Sequence, residues 1–236
     1  MCAEYKSIPD ALSPVIHVTT HALKAGELGA VVARPGVGKT SFLVQVALHT
    51  MMSGKKVMHV NLKDSIKKVT LWYGEIFSLL CKKHQGLEEG VVLDSLLARR
   101  FIMTMQVQGF STDAIGERLA DLLEQNIFTP DILIIDGLSF DASRQETVDG
   151  LGRISREFFM GIWVSVPAHR EEPRDDADMP ARIGDIKDHF ALVWEFVPEG
   201  QEIRLKQLVP EGADTKTGTP DLCLDPASML LDVRAA

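Results

Sequence analysis

A lysine followed by a hydroxyl residue, at the end of a glycine-rich run, is suited to holding phosphate. Such a run stands at Ala33-Arg34-Pro35-Gly36-Val37-Gly38-Lys39-Thr40-Ser41. Glycines at 36 and 38 let the backbone curl so that successive N–H groups point inward. A helix starting near Lys39 adds the positive end of its dipole. The concavity suits a di- or triphosphate. Arg34, Pro35, Gly36, Val37, Gly38, Lys39, Thr40 and Ser41 form the cradle, Lys39 reaches the β- and γ-phosphates, and the Thr40 hydroxyl is a ligand for Mg²⁺. The strict pattern opens on glycine, and Ala33 takes that place here. A second candidate lies well downstream, where the apolar run Ile132-Leu133-Ile134-Ile135 ends in Asp136. Ligands of open α/β sheets sit at the carboxyl ends of strands, so Asp136 is placed to hold the same Mg²⁺, directly or through water.

These residues need a strand before the loop and a helix after it. Leu28 to Val32 is short, apolar and β-branched, as a buried strand should be. Phe42, Leu43, Val46, Ala47 and Met51 recur at helical spacing up to Ser53-Gly54, where glycine can end the helix. Further along, strands are expected over Lys56–Leu62, Phe101–Met105, Asp131–Ile135 and Ile162–Val166. Helices are expected over Ile66–Lys83, capped by Ser65, from Ser111-Thr112-Asp113 onward, and over Glu146–Phe159. Pro167–Pro180 reads as a polar loop. The ending changes character: Ala191–Val197, Gln201–Leu208, Pro220–Leu224 and Met229–Leu231 are short strands with no room for helices between them. The expected architecture is α/β, a mostly parallel sheet flanked by helices with an antiparallel C-terminal extension. Residues 1–25 form an N-terminal lead-in, and residues 26–236 one nucleotide-binding domain.

At 236 residues and 45% apolar content the chain can bury a full core as one domain. A net charge of −8 supplies no general attraction to nucleic acid or anionic membrane. Three cysteines, Cys2, Cys81 and Cys223, form no C-x-x-C pair and leave an odd count, which fits packed thiols in a reducing cytosol. No apolar stretch approaches the roughly 20 residues that span a bilayer, and the N-terminus has no signal pattern. The expectation is a soluble, cytoplasmic protein without a membrane partner. His17/His21 and Cys81/His84 are each half of a metal site with no second half, which argues against zinc.

The phosphate loop, the strand ending in Asp136 and the late run Ile203-Arg204-Leu205-Lys206-Gln207-Leu208 followed by Thr217-Gly218 together resemble the RecA-like P-loop ATPases. The resemblance is greatest to the motor domain of DnaB-type replicative helicases and their KaiC relatives, and it covers roughly residues 20–232 in order. It implies a RecA-like sheet with the loop at its carboxyl edge, ATP and Mg²⁺ as cofactors, and a homo-oligomer such as a hexameric ring or a filament, with ATP between subunits.

Several departures qualify what the resemblance carries over. Family members end the second strand in a glutamate that polarises the attacking water, and this chain has Asn61-Leu62-Lys63. Asp64 is adjacent, either as a base displaced by one residue or as a helix-cap residue. Family members also carry Lys-Gln-Arg in the late strand, the arginine reaching a neighbour's γ-phosphate, where this chain has Lys206-Gln207-Leu208. Arg204 and Lys206 are a cationic pair acting in trans or a solvated strand face. Ser165-Val166-Pro167-Ala168-His169-Arg170 lacks the family's sensing glutamine, leaving His169 as a substitute or as plain surface. The run Arg170–Asp178, with five carboxylates against two arginines, opposes a phosphate backbone, and the lysine doublets are scattered. These features argue against nucleic acid as a partner. They imply an ATPase with weak or partner-dependent hydrolysis, the alternatives being a non-catalytic ATP-dependent assembly module and a DNA-helicase-type motor.

Overall fold

The apolar runs of the sequence line up side by side in one twisted sheet of nine strands among the described residues, ordered β3-β2-β4-β5-β1-β6-β7-β8-β9. The structure is a computed structural model that describes residues 15, 23–84, 93–107, 110–138, 144–168, 173–175, 179–209 and 221–233. The strands are β1 (Leu28–Ala33), β2 (Val57–Asn61), β3 (Arg100–Thr104), β4 (Ile132–Asp136), β5 (Gly161–Pro167), β6 (Leu192–Glu199), β7 (Glu202–Val209), β8 (Leu222–Leu224) and β9 (Leu231–Val233). Strands β1 to β6 pair in parallel, whereas β6 to β9 are antiparallel. The mixed sheet expected from the sequence is the one observed.

The helices are α1 (Lys39–Met52), α2 (Ile66–Lys83), α3 (Leu93–Leu97), α4 (Thr112–Glu124), α5 (Arg144–Glu157) and α6 (Ala181–Gly184). Side chains alternate across each buried strand, so the sheet feeds two apolar layers. Val31, Ala33, Ile132 and Ile134 point into a layer with α1 and α2, while Leu28, Ala30, Val32, Leu133 and Ile135 point into one with α4 and α5. Gly29 faces Leu23 and Trp163 so closely that a Cβ there would lie 2.8 and 2.9 Å from them. Val15 and Leu23 of the lead-in are themselves buried in the first layer.

Helix α2 has the bounds its periodicity predicts, with the Ser65 hydroxyl accepting the Lys68 N–H. Most other boundaries move by a residue or two, because ladder hydrogen bonds rather than hydrophobicity end a strand. Helix α3, helix α6 and the 3₁₀ turn Lys187–His189 were not expected; each is too short to show a period. Cys2, His17, His21, His169, Arg170–Glu172, Asp176–Asp178 and Thr217-Gly218 lie outside the described residues. Among the described residues no helix is long and apolar enough to cross a membrane, and no cluster of three metal-ligating residues occurs.

Helix α1 is buried on nearly every side, its polar residues Ser41, Gln45, His49 and Thr50 included. The turn between β8 and β9 covers it. The Met229 carbonyl accepts the Ser41 hydroxyl at 2.6 Å and the Gln45 amide at 2.9 Å, and the Gln45 carbonyl oxygen accepts the Leu231 N–H at 2.8 Å. Asp225 shapes the turn by accepting the Ala227 and Ser228 N–H groups and the Ser228 hydroxyl, bonds that hold its carboxyl below the usual range, the hydroxyl bond most. Replacing Gln45 with leucine leaves the buried Leu231 N–H without its partner, an expected loss of about 1–3 kcal/mol. A thermal melt should drop by ~2–4 °C for each kcal/mol; an unchanged midpoint would show that the turn is not anchored through Gln45.

Candidate functional site

Four strand ends converge beside the glycine-rich loop: the loop leaves β1, Asn61 closes β2, Asp136 closes β4 and Ser165 lies near the end of β5. Parallel register puts Asn61 opposite Asp136. The cleft has a volume of about 310 Å³, and its walls include Gly36, Gly38, Lys39, Thr40, Lys63 and Asp136. Pro35 and Ser41 also line it, whereas Arg34 is exposed on its outer edge.

The loop has the backbone its glycines allow. Gly36 has φ +80°, and Gly38, with φ +96° and ψ +10°, is the left-handed N-cap of α1. A side chain at Gly38 would meet Leu224 at 2.3 Å, so this glycine is required both by its dihedral and by the C-terminal strands against it. The Lys39 ammonium folds back across the loop and donates to the carbonyls of Ala33 at 2.5 Å and Arg34 at 2.9 Å. Burial pushes Lys39 down to about 8, the Lys63 cation adding to the fall and the Asp136 carboxylate offsetting part of it.

The Thr40 hydroxyl donates to Asp136 at 2.7 Å, and the Ser165 hydroxyl donates to the other oxygen of the same carboxylate at 2.6 Å. Ser165 in turn accepts the Gly137 N–H at 2.7 Å. The carboxylate is thus oriented from both sides and nearly buried, with the threonine oxygen in contact with it. Hydroxyl and carboxylate oxygens are the hard donors that suit Mg²⁺, which completes its shell with waters and phosphate oxygens. Thr40 and Asp136 therefore fit the ion that the motif implies.

At the second strand's end, the buried Asn61 carbonyl oxygen accepts the N–H groups of Lys63 at 2.9 Å and Asp64 at 2.6 Å, a local turn that fixes how the chain leaves β2. Lys63 occupies the position where a carboxylate would polarise water. Asp64 lines the cleft, but its carboxylate is bonded to Lys68 one turn along α2 at 2.7 Å. Beneath Asn61, His59 Nδ1 lies 2.9 Å from the Tyr73 hydroxyl, and the Arg100 guanidinium stacks on that ring at 4.2 Å. Burial pushes His59 down to about 4, so this layer is a neutral support at physiological pH.

The late-strand cations do not line the cleft. Arg204 is paired within the chain to Asp221 at 3.4 Å and to Glu199 at 4.0 Å, and Lys206 is exposed on β7 opposite Glu195 in the ladder. Leu208, at the position where family members carry the arginine, is buried in the second apolar layer. Arg174, from the segment read as a polar loop, makes a two-pronged bond to Glu195 at 2.8 and 2.7 Å. Ser165 and Met229 were not among the expected site residues. A polar residue inside the apolar run Gly161–Pro167 was the one signal for Ser165, and nothing local marked Met229.

No family model matches the chain, and no curated protein matches it in sequence. Among solved structures, the ATPase domain of a DnaB-type helicase is similar over 99% of this chain and 93% of its own, with a TM-score of 0.67 at 14% identity. The likeness is one of fold, and it agrees with the strand order and the loop position described above. In fold, the chain is a RecA-like ATPase domain of the DnaB type that its phosphate loop and Asp136 strand resemble.

Proposed function

We propose that this protein binds MgATP at the glycine-rich loop and hydrolyses it slowly, or only with a partner's help. The observation that carries the proposal is the contact between Thr40 and Asp136 at the floor of the cleft, with Lys39 above it and Lys63 where a base would stand. Backbone N–H groups from Gly36 to Thr40 would cradle the phosphates, Lys39 would exchange its two carbonyl partners for phosphate oxygens, and Thr40 and Asp136 would hold Mg²⁺. The ion would neutralise phosphate charge and tie the triphosphate to the sheet. Ser165 keeps the Asp136 carboxylate turned toward Thr40. Asp64 is the outside candidate for a water-polarising base, once released from Lys68.

A second role for the same site, as an ATP-dependent assembly or regulatory module in the cytoplasm, is favoured by one further observation. Arg204 is satisfied by carboxylates of its own chain, so no cation in the late strands is preset for hydrolysis at a neighbour. Lys206 remains the in-trans candidate. Assembly would then follow ATP binding by mass action, since phosphate charge shared across a contact is bound only in the oligomer. A nucleic-acid motor is disfavoured by the net charge of −8 and the acidic run 171–178.

Sedimentation velocity and calorimetry with a non-hydrolysable MgATP analogue test both parts. The expected results are micromolar binding and a nucleotide-dependent shift toward a larger species. Absence of binding would remove the site assignment; binding without any shift would confine the role to nucleotide capture.

A further inference from the structure

Lys63 is more than a missing base. We infer that it is a phosphate ligand supplied from within the chain, which makes the site prefer a nucleoside triphosphate to a diphosphate. The inference rests on the proposal that the glycine-rich loop binds MgATP.

Three independent features hold Lys63 in place. Its backbone is fixed by Asn61, a buried residue whose side-chain oxygen takes the N–H groups of both Lys63 and Asp64. Its stem lies flat across Gly137: a Cβ on that glycine would sit 2.9, 3.0 and 3.2 Å from the Lys63 Cγ, Cδ and Cε. Gly137 has φ +92° and donates its N–H to Ser165, so the missing side chain and the turn after Asp136 together leave a channel along which the lysine runs. The ammonium is therefore directed over the end of β4 into the cleft that Lys39, Thr40 and Asp136 also line.

The charges are arranged for an anion. Lys68 is paired with Asp64, and Lys39 is bonded to two carbonyls, but the Lys63 ammonium has no hydrogen-bond or ion-pair partner among the described residues. It stands near enough to Lys39 to make that second ammonium harder to protonate. Two like charges brought together cost free energy unless an opposite charge arrives between them. A diphosphate engaged by the loop satisfies Lys39; the additional phosphoryl group brings oxygens to Lys63. A lysine offers three donors and no acceptor, so in this position it can grip phosphate but cannot take a proton from water while charged. Because the grip exists in the ground state, it tightens binding more than it lowers a barrier.

The test compares MgATP and MgADP affinity by calorimetry for the wild type, Lys63→Met and Lys63→Arg. Lys63 is exposed, so the variants should fold, and a thermal melt checks this. The wild type should prefer MgATP. In Lys63→Met the MgATP affinity should fall about ten- to a hundredfold, the range for losing one charged hydrogen bond, while MgADP affinity stays within about threefold. Lys63→Arg should keep the preference. A Lys63→Met protein with the wild-type ratio of the two affinities overturns the inference and leaves the loop assignment standing. A wild type that binds neither nucleotide overturns the assignment and the inference with it.

Discussion

Steady-state ATP turnover by the purified protein is expected to fall far below the ~1–10³ s⁻¹ common among enzymes. A general base is worth ~10²–10⁴-fold and an arginine finger ~10³–10⁵-fold. The cleft presents a lysine in place of the first, and the position of the second is filled by a leucine packed in the core. Lys63→Glu should raise the rate, because the carboxylate would replace the cation on the same Asn61-anchored turn, beside the Thr40–Asp136 pair. A single-turnover assay under excess protein measures the chemical step directly. Fast wild-type turnover that is lost in Asp64→Ala would show instead that Asp64 leaves Lys68 and acts as the base.

Lys39→Ala should weaken MgATP and MgADP alike. Truncating one partner of a desolvated charge pair costs about 2–5 kcal/mol, roughly 30- to 5000-fold in Kd, enough to carry a micromolar complex toward the millimolar range. The depressed Lys39 value also gives the site a pH dependence of definite sign. In the nucleotide-free protein the lysine is charged below about 8 and neutral above it, and bound phosphate favours the charged form. Affinity should therefore be fullest below pH 8 and decline by up to tenfold per unit above it, until the bound-state value is passed. The terminal phosphate is already fully ionised above about pH 7, so it does not produce this decline. Calorimetry across pH 7–10 checks the slope in the wild type and its absence in the alanine variant; a flat wild-type profile would mean that the buried lysine does not titrate in this range.

The parallel half of the sheet was readable because each of its strands and the long helices carries its own period, as in α2, whose apolar positions and Ser65 cap gave both ends. The surroundings of α1 were not. Gln45, His49 and Thr50 imply a wet face, yet they are buried. The residues that cover Gln45 belong to a turn near the far end of the chain, and such contacts leave no mark in a local window. The same division holds in the cleft. Lys39, Thr40 and Asp136 were found because the chemistry fixes their spacing or strand position, and the structure brings Thr40 and Asp136 into contact. The second hydroxyl on Asp136 comes from a neighbouring strand, and the pairing of Arg204 with Asp221 joins two strands across an intervening loop.

The hydrogen bond from Ser41 to Met229 spans 188 positions. A growing chain can form the loop and α1 early, but their covering turn must wait until residue 229 has been made and β8 and β9 have paired. Contacts so distant in sequence close late, after the loss of entropy in bringing the chain ends together has been met. Until then Gln45 and its neighbours on α1 stand exposed, and Gly38 has no Leu224 against it. The phosphate loop thus reaches its final form only in the last stage of folding, and a captured nucleotide marks a chain whose two ends have already met.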